Sequence, residues 1–135
     1  MAFHPYLFFN GNCAAAFTRY QEIFGGELAL VRAADMPAEE RPPAGAEDLV
    51  MHAALSFGGD LLMGSDDPTD DFGPVQGMMV NYSVSDTGEA KRVFDALADG
   101  GEVRLPIGAT SWSPAFGMCA DRFGTPWMIS ADPAS

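Results

Sequence analysis

Apolar and aromatic residues fill Phe3 to Phe9, a strand pattern. Alternation along it puts His4, Tyr6 and Phe8 on one face and Leu7 and Phe9 on the other. Asn10-Gly11-Asn12 reads as a turn, with Asn12 placed to cap a helix. In that helix Cys13, Phe17, Tyr20 and Phe24 make one apolar stripe. Gly25-Gly26 ends it, because glycine adopts the left-handed cap at little cost. A strand follows over Glu27 to Ala33. Met36 to Gly45 carries prolines and charges and is expected to be a loop. Leu49 to Phe57 and Leu61 to Ser65 read as strands joined by a Gly58-Gly59 turn, and Asp66 to Pro74 as an acidic linker.

The pattern then restarts. Met78 to Val84 is a strand, and Asp86-Thr87-Gly88-Glu89 resembles a capping box. Ala90, Val93, Phe94 and Leu97 form the stripe of a second helix, ended by Gly100-Gly101. Strands are expected over Glu102 to Ile107, Ala115 to Ala120 and Pro126 to Ala131. Pro106 marks the first of these as an edge strand or one that ends early, since proline donates no ladder hydrogen bond. Asp121 with Phe123-Gly124 forms the last turn, much as Phe57-Gly58 forms an earlier one. The order strand, helix, strand, strand, strand is thus written twice. The expected organisation is a single domain, 1–135, of two modules at about 1–66 and 77–135, joined by an acidic linker over 67–76.

Composition narrows the function classes. Apolar residues make up 47% of the 135, enough to bury a core and too many for disorder. The formal net charge of −12 repels nucleic acid and anionic membranes, so neither is expected as a partner. No apolar run approaches the roughly 20 residues of a membrane span. Met1 to Pro5 has no basic region of the signal-peptide type, which gives the expectation of a cytoplasmic protein. Cys13 and Cys119 are far apart and read as buried free thiols. The sequence shows no phosphate-binding glycine loop, no nucleophile elbow and no nucleotide fingerprint.

The duplicated module resembles the vicinal oxygen chelate superfamily of glyoxalase I, extradiol dioxygenases and bleomycin-resistance proteins. The motifs that carry the likeness span nearly the whole chain. They are Pro5-Tyr6-Leu7-Phe8-Phe9, Gly11-Asn12-Cys13, Phe24-Gly25-Gly26, Met51-His52-Ala53, Leu62-Met63-Gly64-Ser65-Asp66, Trp112, and Asp121-Arg122-Phe123-Gly124 with Pro126-Trp127-Met128-Ile129. Within the superfamily they look closest to the PhnB-like branch, often labelled demethylubiquinone methyltransferase-like. The resemblance implies an α+β fold of two βαβββ modules, whose curved mixed sheets form a half-open barrel around a ligand cavity.

Catalytic members of that superfamily hold a divalent ion with His and Glu side chains from four strands. Carried over, those positions fall on His4, on Leu62 or Met63, on Met79 and on Met128. Thioethers suit Cu(I), not the Zn, Ni or Fe of the superfamily. The expectation is therefore no catalytic metal, and no cofactor is assigned. No strand-turn-helix for S-adenosylmethionine is recognisable either. His52 stands where the resembling branch has a histidine, and near neutral pH it is suited to general acid–base work. Strand parity and the resemblance together put His4, Tyr6, Phe8, Met63, Met79, Asn81, Trp112 and Met128 on the wall of a ligand pocket.

Two function classes stay open at this stage. One is a metal-free protein that binds a small molecule in an apolar cavity. The other is a lyase, isomerase or dioxygenase-type enzyme of the same fold, working through His52 or a bound divalent metal. A homodimer is expected, because two helical stripes do not cover all the aromatic and methionine side chains. Its interface should avoid the acidic segments Asp35 to Asp48 and Asp66 to Asp71, and should lie near Glu102 to Ile107.

Overall fold

The computed structural model describes residues 2–40, 48–67 and 73–133. The rest of the expected proline-rich loop (41–47) and of the acidic linker (68–72) lie outside the described residues. Two compact units divide the chain, 1–73 and 74–135. Each is one βαβββ module, with a four-stranded mixed sheet and one helix, so the fold is α+β.

The first unit runs β1 (Tyr6–Phe9), α1 (Cys13–Phe24), β2 (Glu27–Arg32), β3 (Val50–Phe57) and β4 (Asp60–Asp66). Its strand order is β1-β4-β3-β2. β1 pairs parallel with β4, and the other two ladders are antiparallel. Leu7, Phe9, Val50, Leu55 and Leu62 meet the buried face of α1 at Phe17, Tyr20 and Ile23. Phe17 sits edge-on to both Phe9 (6.0 Å) and Tyr20 (5.5 Å). Burying a side chain of this kind stabilises the fold by about 1.5–3 kcal/mol. Gly64 lets the helix come this close. A Cβ there would lie 2.7 Å from both the Leu7 carbonyl oxygen and Phe17 Cε1.

The second unit repeats the plan: β5 (Val80–Val84), α2 (Thr87–Ala98), β6 (Glu102–Gly108), β7 (Phe116–Ala120) and β8 (Pro126–Ala131), in the order β5-β8-β7-β6. Val93, Phe94 and Leu97 are buried on α2, and Cys119, Trp127 and Ile129 on the sheet. Gly117 here matches Gly64, with Phe94 Cε2 2.8 Å from where its Cβ would stand. β6 pairs with β7 alone, so Pro106 does lie on an edge strand.

Several local expectations are corrected. β1 starts at Tyr6 and not Phe3, because Pro5 has no N–H to give the ladder; His4 is therefore outside the strand. β5 starts at Val80, not Met78. Phe24 leaves the buried stripe to Ile23 and stacks on Phe57 at the strand turn, 5.4 Å between centroids. Ala33–Asp35 and Ala38–Glu40 are short 3-10 turns.

The capping of the helices differs between the units. Asp86 caps α2 as expected, accepting from Glu89 N at 3.1 Å, but Glu89 turns its own carboxylate to Arg92. Asn12 makes no side-chain cap. Its role falls to Asp66, which is no linker residue but the last residue of β4, only 3% exposed. One carboxylate oxygen of Asp66 accepts from Cys13 N and the other from Val50 N, both at 2.9 Å. A negative charge at a helix N-terminus also meets the positive end of the helix dipole.

Candidate functional site

Each sheet has one face covered by its helix and one turned away from it. On the first sheet the register fixes which residues share the uncovered face. Tyr6 is paired with Met63, Met63 with Ala54, and His52, two residues before Ala54, with Val31. Tyr6, Phe8, Met63, Ala54, His52 and Val31 thus stand on one side. Phe8 is 57% exposed, while Met63 and His52 are half-buried.

A small polar group sits within this apolar face. The Tyr6 hydroxyl is 3.4 Å from His52 Nδ1, a long contact in which the phenol donates if the imidazole proton is on Nε2. The two rings are 5.8 Å apart, and Tyr6 lies 5.3 Å from Phe8. The shared face expected of Tyr6 and Phe8 is observed, and His52 stands on it too. His4, by contrast, is exposed ahead of the strand.

On the second sheet Asn81 is paired with Met128, Met128 with Met118, and Ser83 with Ser130. Asn81 Nδ2 donates to Ser83 Oγ at 3.2 Å, and the Ser83 and Ser130 hydroxyls are 3.0 Å apart. These form a polar strip beside the methionines. Met79 and Met128 line an open cavity of about 540 Å³ together with Met78, Val75 and Arg104. Trp112 is elsewhere in the same unit. It lines a separate cavity of about 400 Å³ with Ser85, Thr87, Thr110 and Asp132. The residue is 60% exposed, and its ring is edge-on to Phe116 at 5.4 Å.

The expected pocket residues thus fall into groups. Tyr6, Phe8, His52 and Met63 come together in the first unit; Met79, Asn81 and Met128 lie on one face in the second; Trp112 and His4 join neither group. Arg104 on the 540 Å³ cavity was missed by sequence reasoning. A register shift between Val103 and Leu105 sets it there, and that shift depends on β7, not on local sequence.

The other reactive side chains are structural. Burial pushes the Cys13 thiol up to about 12 and the Cys119 thiol up to about 11, with the neighbouring Asp66 and Asp121 carboxylates adding to the effect. Neither forms a useful thiolate near neutral pH. Asp121 is a turn residue: its carboxylate accepts from Phe123 N, Thr125 N and Trp127 Nε1 at 2.9, 3.0 and 2.8 Å. No three His, Cys, Asp or Glu side chains cluster in a metal-binding arrangement among the described residues. Three of the four positions of the superfamily metal, Met63, Met79 and Met128, hold thioethers, which do not fit a Zn, Ni or Fe ion. No helix among the described residues is long and apolar enough to cross a membrane.

Two βαβββ modules define the glyoxalase class of fold. A glyoxalase/bleomycin resistance protein/dioxygenase family enzyme from Burkholderia phytofirmans shares it, with a TM-score of 0.64 at 13% identity over 96% of this chain and 97% of that one. Within the class the chain belongs to the PhnB-like family described as 3-demethylubiquinone-9 3-methyltransferase, whose model it matches over residues 1–130. The crystal structure of protein PA1353 from Pseudomonas aeruginosa is similar at 41% identity and a TM-score of 0.90, covering 98% of both chains. Protein YjdN of Escherichia coli K12 is 32% identical, over 96% of this chain and 95% of its own.

Proposed function

We propose that the chain binds a small, largely apolar molecule against the uncovered faces of its two sheets, acting as one domain and without a catalytic metal. In this reading Tyr6, Phe8, His52 and Met63 form the binding face of the first unit, and Met79, Asn81 and Met128 that of the second. The observation that carries the reading is the first face: two aromatic rings and a methionine left uncovered by the helix, with one phenol–imidazole pair among them. Ligand sites combine apolar walls with a few placed polar groups in this way. Methionine adapts its shape to different ligands.

The family's description does not extend to a methyltransferase activity here. Each sheet holds one parallel pair and two antiparallel ladders, unlike the parallel sheet that presents a nucleotide cofactor at its strand ends. The second reading, an enzyme of the same fold, has one observation in its favour. The Tyr6 hydroxyl beside His52 would orient the imidazole for proton transfer. Elemental analysis of protein purified without added metal separates the readings. A binding protein is expected to carry no transition ion in stoichiometric amount, and one equivalent of bound Zn, Ni, Fe or Mn would overturn it.

A homodimer is part of the same proposal, and the protein is taken to be cytoplasmic. Val103 and Leu105 are exposed on the edge strand β6, at 48% and 37%, and a second copy would cover them. Pro106 keeps that edge from simply extending its ladder into another chain. Sedimentation at micromolar concentration and moderate salt should give twice the chain mass. A single species of the chain mass would rule the dimer out.

A further inference from the structure

Arg104 is the one charged residue lining the 540 Å³ cavity among the described residues. Four other arginines are engaged. Arg19, Arg92 and Arg122 hold the carboxylates of Glu22, Glu89 and Asp99, and Arg32 donates to the Asp48 carbonyl at 2.9 Å. Arg104 has neither a hydrogen bond nor an ion pair among the described residues. That is unusual in a chain with 19 acidic and 7 basic residues, where carboxylates are plentiful. Its position is also specific. The register shift between Val103 and Leu105 places it on an irregular point of β6. Bulges of this kind commonly re-aim a side chain next to a functional site.

The cavity therefore has a guanidinium at one wall and three thioethers, with Val75 and Gln76, around the rest. The planar fork of a guanidinium matches the two oxygens of a carboxylate, sulfonate or phosphonate. A chain of net charge −12 otherwise repels anions, so this cation supplies the local attraction that an anionic ligand needs. We propose that Arg104 anchors the acid group of an organic anion whose apolar body lies against Met79 and Met128. This deepens, and rests on, the small-molecule reading above.

Fluorescence titration of the full-length protein with two matched dyes tests it. Anilinonaphthalene sulfonate carries the acid group, and phenylnaphthylamine is the same body without it. The wild type is expected to bind both. Arg104→Gln should weaken the sulfonate by about tenfold or more, the size of a lost charge-assisted contact, and leave phenylnaphthylamine unchanged. Arg104→Lys should restore part of the loss, as a charge without the planar fork. Arg104 is exposed on an edge strand, so unchanged circular dichroism and melting are expected of both variants. Equal sulfonate affinity in wild type and Arg104→Gln would overturn the anchor while leaving the binding reading intact. Equal losses for both dyes would do the same. A wild type that binds neither dye would overturn both.

Discussion

Replacing Asp121 with alanine is expected to lower the melting temperature by on the order of 10 °C. Asp121 is 6% exposed, and its carboxylate accepts from three donors. Phe123 N and Thr125 N share Oδ1, and Trp127 Nε1 takes Oδ2. Thr125 and Trp127 are themselves buried, at 3% and 2%. Removing the acceptor breaks three hydrogen bonds to a charged group, two of them from buried residues, at about 1.5–3 kcal/mol for a bond of this kind. The total is about 3 kcal/mol or more. Asp121→Asn should fall between the two, since its carbonyl serves the turn amides while its NH₂ faces the indole N–H. Thermal melts followed by circular dichroism check the order. An alanine variant that melts with the wild type would show that the turn is held by other contacts.

Asp66→Ala is expected to have a comparable effect on the first unit. It removes the acceptor for Cys13 N and Val50 N together, and so the cap of α1 and a tie to the first residue of β3. The loss should be about 3 kcal/mol, the sum of a helix cap and a second buried donor. Its distinguishing mark is local. Hydrogen exchange should quicken first at the amides of Cys13 and Val50, ahead of the rest of the sheet. Exchange that quickens evenly across the unit would instead mean that Asp66 acts through global stability alone.

These two aspartates show where the sequence is readable and where it is not. Asp121 stands in an Asp-Arg-Phe-Gly turn, and its partners are two to six residues away. Local chemistry announces it. Asp66 sits beside Asp67, ahead of Asp70 and Asp71, and reads as the start of a charged linker. Its true partner, Cys13 N, is 53 residues away and becomes its neighbour only through the parallel pairing of β1 with β4. Asn12 carried the local capping signal and lost to this distant carboxylate. The helices and the duplication were legible because both periods, 3.6 and 2, repeat twice. The uncovered face of β1 followed from the same parity, which set Tyr6 with Phe8, whereas His52 came from the resemblance to the PhnB-like branch. Arg104 did not follow, because a shift in ladder register is a property of two strands and leaves no mark on one. Trp112 looked like a pocket wall on size and resemblance; its loop, held by Thr110 bonds to Trp112 N and Ser113 N, puts it at a different cavity.

Methionine methyl NMR gives the most direct test of a ligand lying on the uncovered sheet faces. Met63 and Met128 are placed on those faces and Met79 lines the cavity beside Met128, while Met36 lies outside the strands. On titration with phenylnaphthylamine, the ε-methyl signals of Met63, Met79 and Met128 should move and saturate, with Met36 still. Movement of Met36 with those three unmoved would contradict the account, as would a spectrum that does not change at all.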